Sequence, residues 1–268
     1  MRALHDSHIH SSFSTDSTTP MEDMAQAAVS LGLKGIAITD HYHPDYPIMM
    51  HRTGQPTAAY HQAMERTRER FQNQLDVRFG LEIGVLIGKT LPVCQAAAND
   101  YPYDILLAAF HSTRTKPFDY LGNERTLSAE ELCVYYYKHV LRCIRQFRDY
   151  DVLAHVNLVD RYVDRLPREE AYLPLLDEIF KLVIRDGKGI EINTSSYRYG
   201  MGERTTPTLA MLRRYRELGG EIVTVGSDAH APEWVGSHLE EGYELLQAAG
   251  WNYYAIYKNR KPVFLPLT

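Results

Sequence analysis

Short apolar runs rich in β-branched residues alternate along the chain with longer runs whose apolar residues recur at helical spacing. That alternation is the pattern of repeated βα units around a parallel sheet. The short runs predict strands over Ala3 to His8, Gly35 to Thr39, Val77 to Ile83, Ile105 to Phe110, Val152 to His155, Gly189 to Asn193 and Ile222 to Val225. The longer runs predict helices over Met21 to Leu31, Thr57 to Gln74, Leu91 to Asn99, Leu127 to Arg148, Glu169 to Asp186, Thr208 to Leu218 and Val235 to Ala249. Thr19-Pro20 and Thr206-Pro207 suit helix starts, and Gly32, Gly187 and Gly219 suit the ends of the preceding helices.

Seven βα units in 268 residues predict one α/β domain over 1–268, a distorted TIM-like (β/α)7 barrel. The longest irregular stretches, Tyr42 to Pro56 and Ser112 to Thr126, each follow a strand and so are expected over the barrel mouth as lids or specificity loops. Within Leu127 to Arg148, the stripe Leu132, Tyr136, Val140, Ile144 and Phe147 is expected to face the core.

Composition adds mainly exclusions. Apolar residues at 44% and charged residues at 24% are ordinary for a globular protein. A net charge of -5 argues against a nucleic-acid surface, which needs a clustered positive field, while leaving a small anionic substrate open. The expected location is cytoplasmic, without membrane association: no apolar run approaches the ~20 residues of a membrane span, and Met1-Arg2-Ala3-Leu4-His5 is unlike a signal peptide. Cys94, Cys133 and Cys143 stand far apart and read as core fillers.

The chemistry lies at the strand ends. Asp6-Ser7-His8-Ile9-His10 ends the first strand, and alternation sends Asp6, His8 and His10 to one side. Thr39-Asp40-His41 closes the second strand, Glu82 the third, His111 the fourth, His155 the fifth, Glu191 and Asn193 the sixth, and Ser227-Asp228-Ala229-His230 the seventh. Six of the chain's twelve histidines thus stand at or just beyond strand ends, where a βα barrel assembles its active site. Any one of them reads equally as a hydrogen-bonded strand cap. All six together with Asp16, Glu82 and Asp228 read as a metal centre. Imidazole and carboxylate without thiolate suit two or three divalent ions of zinc, iron or manganese, and a carboxylate can bridge two of them. His5, His43, His51, His61, His139 and His238 are taken as structural, with His43 and His51 near enough to the mouth to meet a substrate.

These residues, taken in order, resemble the PHP family, and within it the histidinol-phosphate phosphatases. The resemblance runs nearly end to end through Asp6-x-His8-x-His10, Thr39-Asp40-His41, Gly80-Leu81-Glu82, His155, Ile192-Asn193-Thr194 with Arg198, and Gly226-Ser227-Asp228-Ala229-His230. It implies one ion on His8, His10, Glu82 and Asp228, a second on Glu82, His111 and His155, and a third on Asp16, His41 and His230. It departs at Asp16, where many of those phosphatases have His, and at Asn157 in His155-Val156-Asn157, where they have Asp. The segment Ile83-Gly84-Val85-Leu86 also lacks an expected acidic residue, and His111-Ser112-Thr113-Arg114 differs as well.

The implied reaction is hydrolysis of a small phosphorylated metabolite by a metal-activated hydroxide, releasing inorganic phosphate. Asp228, His230 and Glu82 are the catalytic candidates and Arg198 a phosphate clamp; Arg161 reads equally as a clamp or a surface salt bridge. A nucleotide phosphatase or exonuclease is the close alternative. A non-catalytic metal-stabilised module is the distant one, disfavoured because all nine ligand positions carry competent residues. An amide-hydrolysing barrel is disfavoured because no lysine sits at a strand end.

Overall fold

The computed structural model describes residues 4–44, 58–113, 116–124, 126–201 and 205–267. Most of the first proposed lid (45–56), with His51, and parts of the second (114–115 and 125) lie outside the described residues. Eight parallel strands form the central sheet: β1 His5–Ile9, β2 Gly35–Ile38, β3 His41–Tyr42, β4 Asp76–Gly84, β5 Ile105–Ala109, β6 Val152–Leu153, β7 Gly189–Asn193 and β8 Val223–Gly226. Their order is β1-β2-β4-β5-β6-β7-β8, with β3 pairing β4 where β2 has ended, so β2 and β3 act as one interrupted strand along β4. The two ends of the sheet meet. Asp228 N–H donates to the His8 carbonyl and His10 N–H to the Ala229 carbonyl, each at 2.8 Å, which closes the ring at β8 and β1.

Eight α-helices among the described residues surround this ring: α1 Met21–Ser30, α2 Ala58–Phe71, α3 Leu91–Ala97, α4 Phe118–Glu124, α5 Ala129–Ile144, α6 Leu173–Arg185, α7 Leu209–Glu217 and α8 Leu239–Ala248. Local chemistry sets several boundaries that periodicity alone misplaces. At α5 a capping box starts the helix: Glu131 N–H donates to Ser128 Oγ at 3.2 Å, while Ser128 N–H donates to the Glu131 carboxylate at 2.8 Å. The helix expected from Glu169 begins instead at Leu173, because Pro174 is compatible only with a first helical turn.

Two elements escape the periodic reading. The seven-residue α4 lies inside a stretch expected to be irregular and carries Gly122. At the C-terminal end of the described chain, β9 Tyr253–Lys258 and β10 Lys261–Pro266 form an antiparallel hairpin outside the βα alternation. Its tight turn places Asn259 and Arg260 at φ 51° and 63°, a primed turn built with only half of the usual Asn-Gly signal.

The five stripe residues, four on α5 and Phe147 just past its end, are buried, as are all three cysteines. Such side chains contribute roughly 1.5–3 kcal/mol each by leaving water. Among the described residues no helix is long and apolar enough to cross a membrane.

His139, on α5, packs its ring against Phe110 and Phe118 and is largely buried. Burial and then the Arg142 charge push its pKa down to about 4. A depressed histidine pKa means that the unfolded chain binds the proton more tightly, so stability is lost as pH falls from 6.5 towards 4. Between pH 7 and pH 5 this one group should cost the fold about 2 kcal/mol. Urea unfolding at both pH values should therefore show a smaller acid loss for His139→Phe than for the wild type. An equal loss would rule out the contribution.

Candidate metal centre

Strand alternation delivers His8, Glu82 and Glu191 into the barrel at its C-terminal end, and the residues just past the strands complete the wall. Glu82, at the end of β4, is fully buried. Its Oε2 lies 3.5 Å from His8 Nε2, 3.5 Å from His10 Nε2 and 2.5 Å from His41 Nδ1. Its Oε1 lies 2.7 Å from His155 Nε2 and 3.4 Å from His111 Nε2. Asp228 Oδ1 approaches His10 Nε2 at 3.3 Å and His8 Nε2 at 3.7 Å. Asp16 reaches in from the rim, its Oδ2 3.4 Å from His41 Nε2 and 3.3 Å from His230 Nε2. All nine residues expected as ligands are therefore brought to one place.

The hydrogen bonds around the rings decide which nitrogens face inward. Glu191 Oε1, which can only accept, lies 2.6 Å from His8 Nδ1, so the proton of His8 sits on Nδ1 and the Nε2 lone pair is free. Asp40 accepts from the Ser14 hydroxyl at 2.6 Å, so Ser14 Oγ accepts in turn from His10 Nδ1 at 3.0 Å. This fixes the same tautomer on His10. The two Nε2 atoms then face each other at 3.0 Å with a lone pair on each, a repulsive contact unless a cation or a proton stands beside them. A divalent ion fits this donor set, since three carboxylates and six imidazoles converge and His8 and His10 turn unprotonated nitrogens inward.

Electrostatics call for positive charge at the same place. Burial opposes it, but Glu191, Asp228 and Glu82 raise the pKa of His8, and Glu82 and Asp16 that of His41, well above the usual range, a charge that a bound cation would replace. Burial opposes the charge of Glu82, but His41, His111 and His8 outweigh it and hold the carboxyl well below its usual range. Burial, then His230 and His41, keep His10 from protonating. The backbone is bent to build the site, with left-handed φ of 27° at His155 and 55° at Asp228, a conformation that non-glycine residues adopt at some cost.

Several acidic and polar residues have supporting roles that residue type alone does not show. Asp6 shares a strand with His8 yet spends its carboxylate on the backbone N–H groups of Ser227 at 2.8 Å and Gly236 at 3.0 Å, so it ties β1 to the segment after β8 and supplies no ligand. Asp40 likewise accepts four hydrogen bonds from Ser11 and Ser14. Asn157 donates to Asp160 at 2.7 Å and to the Thr205 carbonyl at 3.1 Å, away from the cavity wall. Its departure from the PHP pattern therefore leaves the nine expected ligand residues untouched. His61 stacks on Tyr101, and His238 stacks on Tyr197 and pairs with Glu241, both outside the site.

Above the cluster opens a cavity of about 540 Å³, walled by Tyr162, Tyr199, Trp234 and Asp119 as well as Arg161 and Arg198. Arg161 lies over the Tyr199 ring, donates to Ser195 Oγ at 2.6 Å and stands 3.7 Å from Asp228 Oδ2. Arg198 donates to the carbonyls of Ser227 at 2.7 Å and Asp228 at 2.8 Å. Its two Nη atoms thus hold the bent segment that carries Asp228. Glu191 and Asn193, named at a strand end, and His43, placed near the mouth, belong to the site without having been given a role in it, and Ser195 was not singled out. Their available signal was alternation: Glu191 and Asn193 share a face of β7, and His41-x-His43 repeats the spacing of His8-x-His10.

The family model of the PHP domain matches residues 6–195. A probable histidinol-phosphatase of Clostridium acetobutylicum is 28% identical over 263 residues, covering 97% of this chain and 95% of that protein. The histidinol-phosphatase of Lactococcus lactis is 27% identical over 263 residues, covering 96% and 95%. A crystal structure of histidinol phosphate phosphatase from Lactococcus lactis, complexed with zinc, L-histidinol and phosphate, superposes with a TM-score of 0.86 at 23% identity, covering 97% of this chain and 99% of that one.

Proposed function

The chain belongs to the PHP domain family, and from that premise we propose that it is a metal-dependent phosphomonoesterase acting on a small phosphorylated metabolite, with inorganic phosphate as product. One observation carries the reading: a single buried carboxylate, Glu82, lies within 3.5 Å of five imidazole nitrogens at the C-terminal ends of barrel strands. We read the whole chain as one barrel domain serving that site.

In this reading His8, His10, Glu82 and Asp228 would hold one divalent ion, and Glu82, His111 and His155 a second. Asp16, His41 and His230 offer a third seat, for zinc, iron or manganese. When bound, such ions supply Lewis acidity for phosphoryl oxygens and a water acidified to near neutrality. Glu82 would offer its one charge to both inner seats. Asp228 and His230, on the cavity wall, manage the proton of the leaving oxygen. Arg161 faces the cavity beside Asp228 and supplies its remaining donors to a non-bridging phosphate oxygen. Arg198 lines the same cavity and keeps Asp228 in position through the two carbonyls.

Similarity over nearly the full length of proteins named histidinol-phosphatase supports L-histidinol phosphate as the first substrate to try. The test is phosphate release from L-histidinol phosphate, nucleoside monophosphates, sugar phosphates and a short oligonucleotide, with zinc or manganese supplied. Turnover of at least one phosphomonoester with kcat/KM of ~10⁴ M⁻¹s⁻¹ or more is expected. Release of nucleotides from the oligonucleotide alone would favour an exonuclease. No release by metal-replete protein would end the enzymatic reading.

The two arginines should separate kinetically. Arg161→Lys keeps the charge but loses the planar fork, and should raise KM for every phosphomonoester by about tenfold, roughly 1.4 kcal/mol. Arg198→Lys cannot bridge two carbonyls and should lower kcat as well, through a misplaced Asp228. Steady-state kinetics on three chemically distinct substrates check both, and an Arg161→Lys enzyme with every KM within twofold of wild type would remove Arg161 from phosphate binding.

A further inference from the structure

The register of β3 on β4 sets His41 opposite Glu82, which places His43, two residues on, beside Gly84. Gly84 lies in the segment Ile83-Gly84-Val85-Leu86, and its missing side chain has a steric consequence. A Cβ at this position would lie 1.8 Å from His43 Nδ1, so only glycine admits the imidazole here. The ring of His43 is buried, with its centroid 5.2 Å from that of His41 and 5.1 Å from that of His111. One nitrogen from each of these three rings lies within 4.8 Å of the others. The same separation describes the group of His10, His41 and His230 and the group of Glu82, His111 and His155.

We infer that His43, with His41 and His111, forms a further metal seat on the barrel-mouth side of Glu82, made possible by Gly84 and selective for zinc-like ions. The inference rests on the proposed metal-dependent site and adds to it a ligand outside the nine discussed above. The three convergent donors are all imidazole nitrogens, the softest set in the cluster, with the Glu82 carboxylate adjoining 2.5 Å from His41 Nδ1 and 3.4 Å from His111 Nε2. They suit zinc or cobalt in a three-histidine arrangement that leaves a fourth position open, whereas manganese favours carboxylate oxygen. His41 is common to this seat and to the seat with Asp16 and His230, and His111 to the seat with Glu82 and His155, so the seat competes with both for a ligand. An ion that prefers nitrogen is therefore drawn inward, and one that prefers oxygen towards Asp16.

The test is metal retention rather than turnover. Chelator-stripped wild type, His43→Phe and His43→Asn are reloaded with zinc or with manganese, passed through gel filtration and analysed for metal, with affinities measured by chelator competition. His43→Phe fills the space over Gly84 without a donor, and His43→Asn is smaller than the imidazole, so one of the pair retains the fold if the other disturbs it. Circular dichroism identifies which. The expected result is a zinc affinity at least tenfold weaker at one seat, seen as the loss of up to one zinc per chain, with manganese retention unchanged. Wild-type zinc retention and affinity in a folded variant would overturn the seat and leave the phosphoesterase reading standing. Wild-type protein that retains no ion of either kind would overturn both.

Discussion

Glu82→Gln should abolish nearly all activity, with kcat/KM falling by at least ~10³ even in excess metal, because one substitution removes the charge shared by two ion seats. The glutamine is close to isosteric, so the barrel should still fold. What changes is that five imidazole nitrogens within 3.5 Å lose the anion they converge on. The amide also brings a donor into a cluster whose inward atoms are lone pairs. Asp16→Ala makes the natural comparison. Asp16 contacts only His41 and His230 within the cluster, and its side chain is 47% exposed, so water can replace much of what it provides. Its loss should cost about ten- to thirtyfold, within the range for a partly required ligand. Kinetics and metal analysis of both variants under the same loading decide the matter. Equal losses, or a larger loss at Asp16, would mean that Glu82 is not the shared ligand.

The strands and the convergence of the residues at their ends were legible because two regularities act together. Strand side chains alternate, and a parallel barrel points all strand ends the same way, so histidines at the ends of β1, β5, β6 and β8 had to meet. What periodicity does not encode is the partner of a polar group. Asp6 stands in line with His8 and His10, yet nothing local reveals that its oxygens are taken by N–H groups more than two hundred residues away. Arg198 reads as an anion clamp until the Ser227 and Asp228 carbonyls are seen beneath it. His43 was read as a structural histidine near enough to the mouth to meet a substrate, and not as a ligand although it repeats the His-x-His spacing, because the glycine that admits it lies on a different strand. The C-terminal hairpin and α4 were missed for a simpler reason: one turns on Asn-Arg rather than Asn-Gly, and the other is under two turns long.

Glu191→Gln is expected to weaken the first ion by about ten- to a hundredfold, although Glu191 faces the backs of the ligands. The carboxylate is fully buried and uses both oxygens as acceptors. Oε1 takes the proton of His8 Nδ1 at 2.6 Å, while Oε2 takes the His155 N–H at 3.0 Å and the Asn193 amide at 3.1 Å. Every partner is a donor. An amide offers one acceptor and one donor, so in either orientation its NH₂ confronts an N–H group, and the mismatch should cost about 1–3 kcal/mol of stability. The cheapest escape is for His8 to move its proton to Nε2 and accept through Nδ1, which removes the lone pair that faces the ion. Metal affinity and thermal stability should therefore fall together, while the groups that touch substrate stay in place. Saturating metal should restore most of kcat in Glu191→Gln and little of it in Glu82→Gln. That contrast separates a residue that orients a ligand from one that is a ligand. If chelator competition gives Glu191→Gln the wild-type metal affinity, the tautomer of His8 is not set by Glu191, and the carboxylate serves only to tie β1 to β6 and β7.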